Sequence, residues 1–60
     1  MNVVVTRARS CWIIDAPDRR VYCMNDKALT YHLTEVFGLS GIDLDMILFT
    51  IEVCGKWVAA

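Results

Sequence analysis

Three cysteines, Cys11, Cys23 and Cys54, and one histidine, His32, are the side chains in this chain that could carry nucleophilic or metal chemistry. A zinc site would need all four. The cysteines stand 12 and 31 positions apart and form no CxxC pair, the spacing that small zinc modules use. An odd number of cysteines without an export signal reads as reduced thiols packed as small apolar residues. A Cys-His dyad would need a setting that stabilises the thiolate and an oxyanion site, and no glycine-rich nucleophile turn accompanies these residues. His32 therefore reads as a hydrogen-bonded core histidine. Asp43 and Asp45 diverge by about 200° on a helix, so they read as acids favouring the positive end of a helix rather than as a metal-binding pair. Neither GxGxxG nor GxxxxGK[ST] occurs. The expectation is a non-enzymatic protein with no cofactor and no metal.

The arginines offer a different chemistry. Arg7 and Arg9 share one side of a strand, and Arg19 and Arg20 sit at a hairpin tip, where two pairs could hold phosphates. The first 24 residues carry +2 and the remainder −3, within a net charge of −1. A helix-turn-helix reading fails, because a second helix opening Ile42-Asp43-Leu44-Asp45 would present carboxylates to a negatively charged groove. A pI of 5.6 is also far from a basic footprint. Nucleic-acid binding through Arg7, Arg9, Arg19 and Arg20 is thus the runner-up function.

These side chains must be positioned by very little structure. The chain has 60 residues, 57% of them hydrophobic and 22% charged, enough for one small domain spanning residues 1–60. So short a chain buries only about 60% of the surface its unfolded form exposes, so the core needs a supplement. The mean hydropathy of +0.44 favours a partner surface over disulfides or a metal. Disorder is excluded by the abundance of large apolar residues. The tract from Ile42 to Ala60 contains Asp43, Asp45, Glu52 and Lys56, so no charge-free window approaches the roughly 18–20 residues of a membrane span. Without a leader-like apolar segment after Arg7 and Arg9, a cytoplasmic location is expected.

Asn2 to Thr6 is rich in β-branched residues and reads as a strand. Cys11 to Asp15 and Arg20 to Met24 read as a hairpin about Ala16-Pro17-Asp18-Arg19. A two-residue Pro-Asp loop matches strand twist poorly, so a wider loop is expected. Folding about it sets Ile14 opposite Val21 and Trp12 opposite Cys23 on one face, with Ile13 opposite Tyr22 and Cys11 opposite Met24 on the other. Both faces are apolar, which predicts cover on both sides. Asn25 or Asp26 caps a helix running to Phe37, ended by Gly38, with Leu39 folding back toward Leu33. Its buried stripe is Leu29, His32, Leu33, Val36 and Phe37.

Ser40 to Asp43 has capping-box spacing, and Leu44, Ile47, Leu48, Ile51 and Val58 follow as a helical stripe. A second stripe, Ile42, Met46, Phe49, Val53 and Trp57, lies on the other side, with Glu52 and Lys56 spaced for an i,i+4 pair. Phe49 to Val53 also alternates as a strand would. The fold expected is α+β: an N-terminal strand and β-hairpin, an α-helix and a C-terminal second helix, with a closing β-strand (ββαβ) as the alternative. Met46, Phe49, Val53 and Trp57, rimmed by Arg19 and Arg20, are the expected protein-binding surface, since Met, Phe and Trp are enriched at interfaces. The function expected is a protein-interaction module with a protein partner. It would form a homodimer and resemble a small inhibitor or regulator of the phage or mobile-element kind.

Overall fold

The computed structural model describes residues 2–59. They form an α+β domain in two layers, a four-stranded antiparallel sheet with both helices on one face. Strands β1 (Val3–Arg7), β2 (Trp12–Ala16) and β3 (Arg19–Cys23) make a meander, and β4 (Trp57–Ala59) returns to pair with β1. The sheet order is therefore β3-β2-β1-β4. Direct cross-strand partners share a face, so Val21, Ile14, Val5 and Trp57 form one row across all four strands. Val3, Val5, Trp12, Ile14 and Cys23 of this inner face are buried with Leu29, Leu33, Ile47 and Ile51 of the helices.

The hairpin register agrees with the pattern in the sequence: Ile14 faces Val21, Trp12 faces Cys23, and Ile13 faces Tyr22. The loop does not. Ala16 pairs with Arg19, leaving only Pro17 and Asp18 between the strands. Proline holds φ negative and no residue but glycine has positive φ among those described, so this tight turn is not of the primed type that strand twist favours. The Asp18–Arg19 and Asp15–Arg20 ion pairs brace its base.

Helix α1 (Asp26–Tyr31) starts at Asn25, whose side chain accepts the Ala28 N–H at 2.8 Å. It widens into a π-helical segment, His32–Val36, closed by Phe37 N–H donating to the His32 carbonyl at 2.9 Å. Thr34 Oγ1 donates to the Thr30 carbonyl at 2.8 Å, the acceptor an α-helix reserves for Thr34's own N–H. The wider turn rotates Val36 off the buried stripe into solvent, while Leu29 and Leu33 stay in the core and Phe37 stays half-buried. Gly38, at φ +70°, turns the chain, and Leu39 N–H donates back to the Leu33 carbonyl at 2.9 Å. Trp12 ties the start of α1 to the sheet, its indole N–H donating to Asp26 at 3.1 Å.

Helix α2 (Leu44–Cys54) is capped by Asp43, not Ser40, with Asp43 accepting the N–H groups of Asp45 and Met46 at 3.0 and 3.3 Å. Gly55 at φ +86° then ends it. The helix reading holds over Leu44–Cys54, so Phe49–Val53 is helical rather than the strand its alternation offered, and a closing strand forms only beyond it, at Trp57–Ala59, where the helical stripes were expected to continue. Lys56 consequently lies outside the helix and has no i,i+4 partner in Glu52. No helix among the described residues is long and apolar enough to cross a membrane.

Ile14 and Ile13 are adjacent on opposite faces, which gives a direct test of this layering. Ile14→Ala should cost about 2–5 kcal/mol, comparable to the roughly 3–9 kcal/mol available to 60 residues. Urea unfolding followed by circular dichroism should show Ile14→Ala largely unfolded before denaturant is added, and Ile13→Ala losing less than half as much.

Candidate functional site

The outward side of α2 is where the sequence-derived surface is most nearly assembled. Ile47 and Ile51 point into the core, and at 100° per residue Phe49 points almost directly away from them. Met46 and Val53 lie beside Phe49 at i−3 and i+4, and the three are 57%, 66% and 61% exposed for Met46, Val53 and Phe49 respectively. Asp45 and Glu52 run along one flank, and no basic residue lies within the helix. The result is an apolar ridge with an acidic border.

Trp57, expected on the same line, is elsewhere. It lies on the inner face of β4 opposite Val5, half-buried against the core. Ile42 precedes the helix and is also partly buried against the core. Only the steps from Met46 through Phe49 to Val53 join helical neighbours, because Ile42 precedes the helix and Gly55 ends it before Trp57 is reached.

The arginines do not converge. Arg7 pairs with Trp12 at one end of β2, whereas Arg19 and Arg20 pair with Ala16 and Asp15 at the other, roughly 10–13 Å along the strand. Arg7 lies over the Trp12 ring, 4.5 Å from its centroid. Arg19 bonds Asp18 at 3.3 Å and lies 5.8 Å from the Phe37 ring. Arg20, on the outer face, donates to Asp15 at 2.6 Å and to the Tyr22 hydroxyl at 3.4 Å. The Tyr22 contact and the Asp15 carboxylate together raise the guanidinium pKa further above its ordinary value.

One constellation comes closer in space than its spacing suggests. Cys23 Sγ is 3.6 Å from His32 Nδ1, with the same nitrogen 2.8 Å from the Ala28 carbonyl. A carbonyl only accepts, so Nδ1 carries the proton and donates it there. The thiol therefore meets an N–H rather than a lone pair able to take its proton, and burial raises its pKa, with the nearby Cys11 adding to the rise. His32 is half-buried and hydrogen-bonded, as expected. Among the described residues there is no cavity and no cluster of three or more His, Cys, Asp or Glu side chains.

A second surface escapes any reading of single segments. The outer sheet face carries no helix, and it brings together Val4, Ile13, Tyr22 and Val58 from four strands. Tyr22 and Val58 are 57% and 48% exposed. The hairpin's two apolar faces signalled its half of this surface, but Val58 joins only through the pairing of β4. No protein family, curated protein or solved structure matches the chain.

The three thiols differ in environment, with Cys54 exposed, Cys11 intermediate and Cys23 buried. Because the thiolate is the reactive form and burial disfavours it at Cys23, alkylation followed by mass spectrometry should label Cys54 first in the folded protein. Cys23 should label last, at a rate that climbs with pH and jumps on unfolding. Equal labelling rates at Cys23 and Cys54 in the native state would contradict this arrangement.

Proposed function

We propose that the protein is a non-enzymatic protein-interaction module that binds another protein through the outward ridge of α2. The single observation that carries this reading is Phe49, a large aromatic side chain aimed straight away from the core of a folded domain and flanked by exposed Met46 and Val53. Aromatic and Met side chains in a contiguous patch are the usual energetic centre of a protein interface. Asp45 and Glu52 form an acidic rim, so the partner is one that presents an apolar patch bordered by Lys or Arg. A small domain that acts by occupying another protein's surface fits a small inhibitor or regulator. The ion pairs of Arg19 and Arg20, and the separation of these from Arg7, support this reading over nucleic-acid binding.

The test is affinity capture from host lysate with the wild-type chain, Phe49→Asp and Tyr22→Lys, all confirmed as folded by circular dichroism. A partner recovered by wild type and Tyr22→Lys but lost by at least about tenfold with Phe49→Asp supports the reading. Identical recoveries with wild type and Phe49→Asp would remove α2 from the interaction.

A further inference from the structure

The open face of the sheet is chemically distinct from the ridge of α2. Val4 and Val58 are direct partners on it, as are Ile13 and Tyr22, and the two pairs meet diagonally between β1 and β2, so an oblique apolar strip crosses the four strands. Thr6 stands opposite Ile13 on one side of the strip, and Asp15 stands opposite Val4 on the other. Its two charged side chains, Asp15 and Arg20, are cross-strand partners joined at 2.6 Å, with Tyr22 bonded to the same guanidinium. The face therefore carries an oblique apolar strip and is electrically neutral, with its charges satisfied within itself.

We infer that this face is the site at which two copies of the chain associate, sheet against sheet, about a twofold axis. A twofold interface sets a surface against itself, so that surface must tolerate its own charges. The sheet face does so, because the Asp15–Arg20 pair of each copy cancels before the copies meet. The ridge of α2 does not. A twofold antiparallel contact centred on Phe49 places the flank bearing Asp45 and Glu52 against the same flank of the other copy, acid facing acid with no base in the helix to offset it. Charge complementarity thus directs the second copy to the sheet and leaves α2 outward for a foreign partner. The sheets would stack about 10 Å apart with strands within about 30° of alignment, helices on both outer surfaces.

Size sets the strength. Four strands about 4.8 Å apart and five residues long at about 3.3 Å each cover roughly 300 Å² of plane, well under the about 800 Å² per partner of a standard interface. The dimer is therefore weak. The folded chain exposes 4076 Å², close to the roughly 4,000 Å² expected for a 6.8 kDa monomeric domain, so two completed domains associate rather than two halves.

This inference concerns a different surface from the one proposed for the partner, and it stands or falls separately. Sedimentation equilibrium over the micromolar to low millimolar range should show a reversible monomer–dimer equilibrium for the wild type. Val58→Lys and Tyr22→Lys, both at exposed positions, should each raise the dissociation constant at least about tenfold with unchanged circular dichroism. Val58→Lys leaves the Asp15–Arg20–Tyr22 contacts in place, so it reads the apolar strip alone. Phe49→Asp should leave the equilibrium unchanged. A wild type that stays monomeric throughout the range, or a dimer that dissociates with Phe49→Asp and persists with Val58→Lys, would overturn the inference.

Discussion

The row Val21, Ile14, Val5 and Trp57 is the constraint on which the domain depends, because it is an inward-facing line of side chains that crosses all four strands. Its middle members, Ile14 and Val5, are fully buried, and both helices rest on the face they define. Completing the row requires the chain to travel out along β1, through the meander and both helices, and back to β1 as β4. Gly55 makes the return possible: its positive φ ends α2 within one residue and lets Trp57 enter the sheet opposite Val5. The pairing β1 with β4 is thus the long-range contact that encloses the core. A second inner row, Cys23, Trp12 and Arg7, closes the far end, with Trp12 held by Asp26 below and Arg7 above.

A sheet with helices on one side has one interior, and this chain contains more apolar residues than that interior holds. The surplus is not scattered. It gathers on the outer sheet face and on the ridge of α2, which lie on opposite sides of the two-layer sandwich. The small core explains why surplus of this kind is tolerated. With nine buried side chains among the described residues the domain has little stability to spare, and in the proposed assemblies burial of the two apolar surfaces would add to it through binding.

Much of this architecture is legible in the residues. The hairpin register follows from period-two patterning about Pro17-Asp18, and a slip of one residue would have exchanged Ile14 for Ile13 in the core. The limits of the first helix follow from Asn25 and Gly38, whose capping chemistry is local. What the pattern conceals has physical causes. That the first helix widens after Tyr31 is a matter of backbone hydrogen bonding, which leaves no trace in hydrophobic spacing. The steps of three and four from Met46 to Trp57 continue through Gly55 as though the helix did too, so β4 is masked by a helical rhythm that the backbone does not follow. The tight Pro17-Asp18 turn goes against twist preference, and the cross-strand Asp15–Arg20 ion pair braces the strands beside it. Of the expected binding residues, Met46, Phe49 and Val53 come together since they lie within one helix. Trp57, Arg19 and Arg20 do not, since their positions depend on tertiary pairing.

The opposed charges of the two halves of the chain acquire a specific meaning once placed in space. In the basic half Arg20 is paired with Asp15 and Arg19 with Asp18, so its net +2 rests on Arg7, which lies over an indole, and Arg9. In the acidic half Asp45 and Glu52 stand along α2 without basic partners in their helix. Had the arginines been free and the acids paired, the same net charge of −1 would have described a surface suited to phosphates. As built, uncompensated acids border the apolar ridge, where they would repel a second copy, while a compensated pair borders the apolar strip of the sheet. In the proposed assembly it is the placement of a few ionised groups that gives two apolar patches different partners.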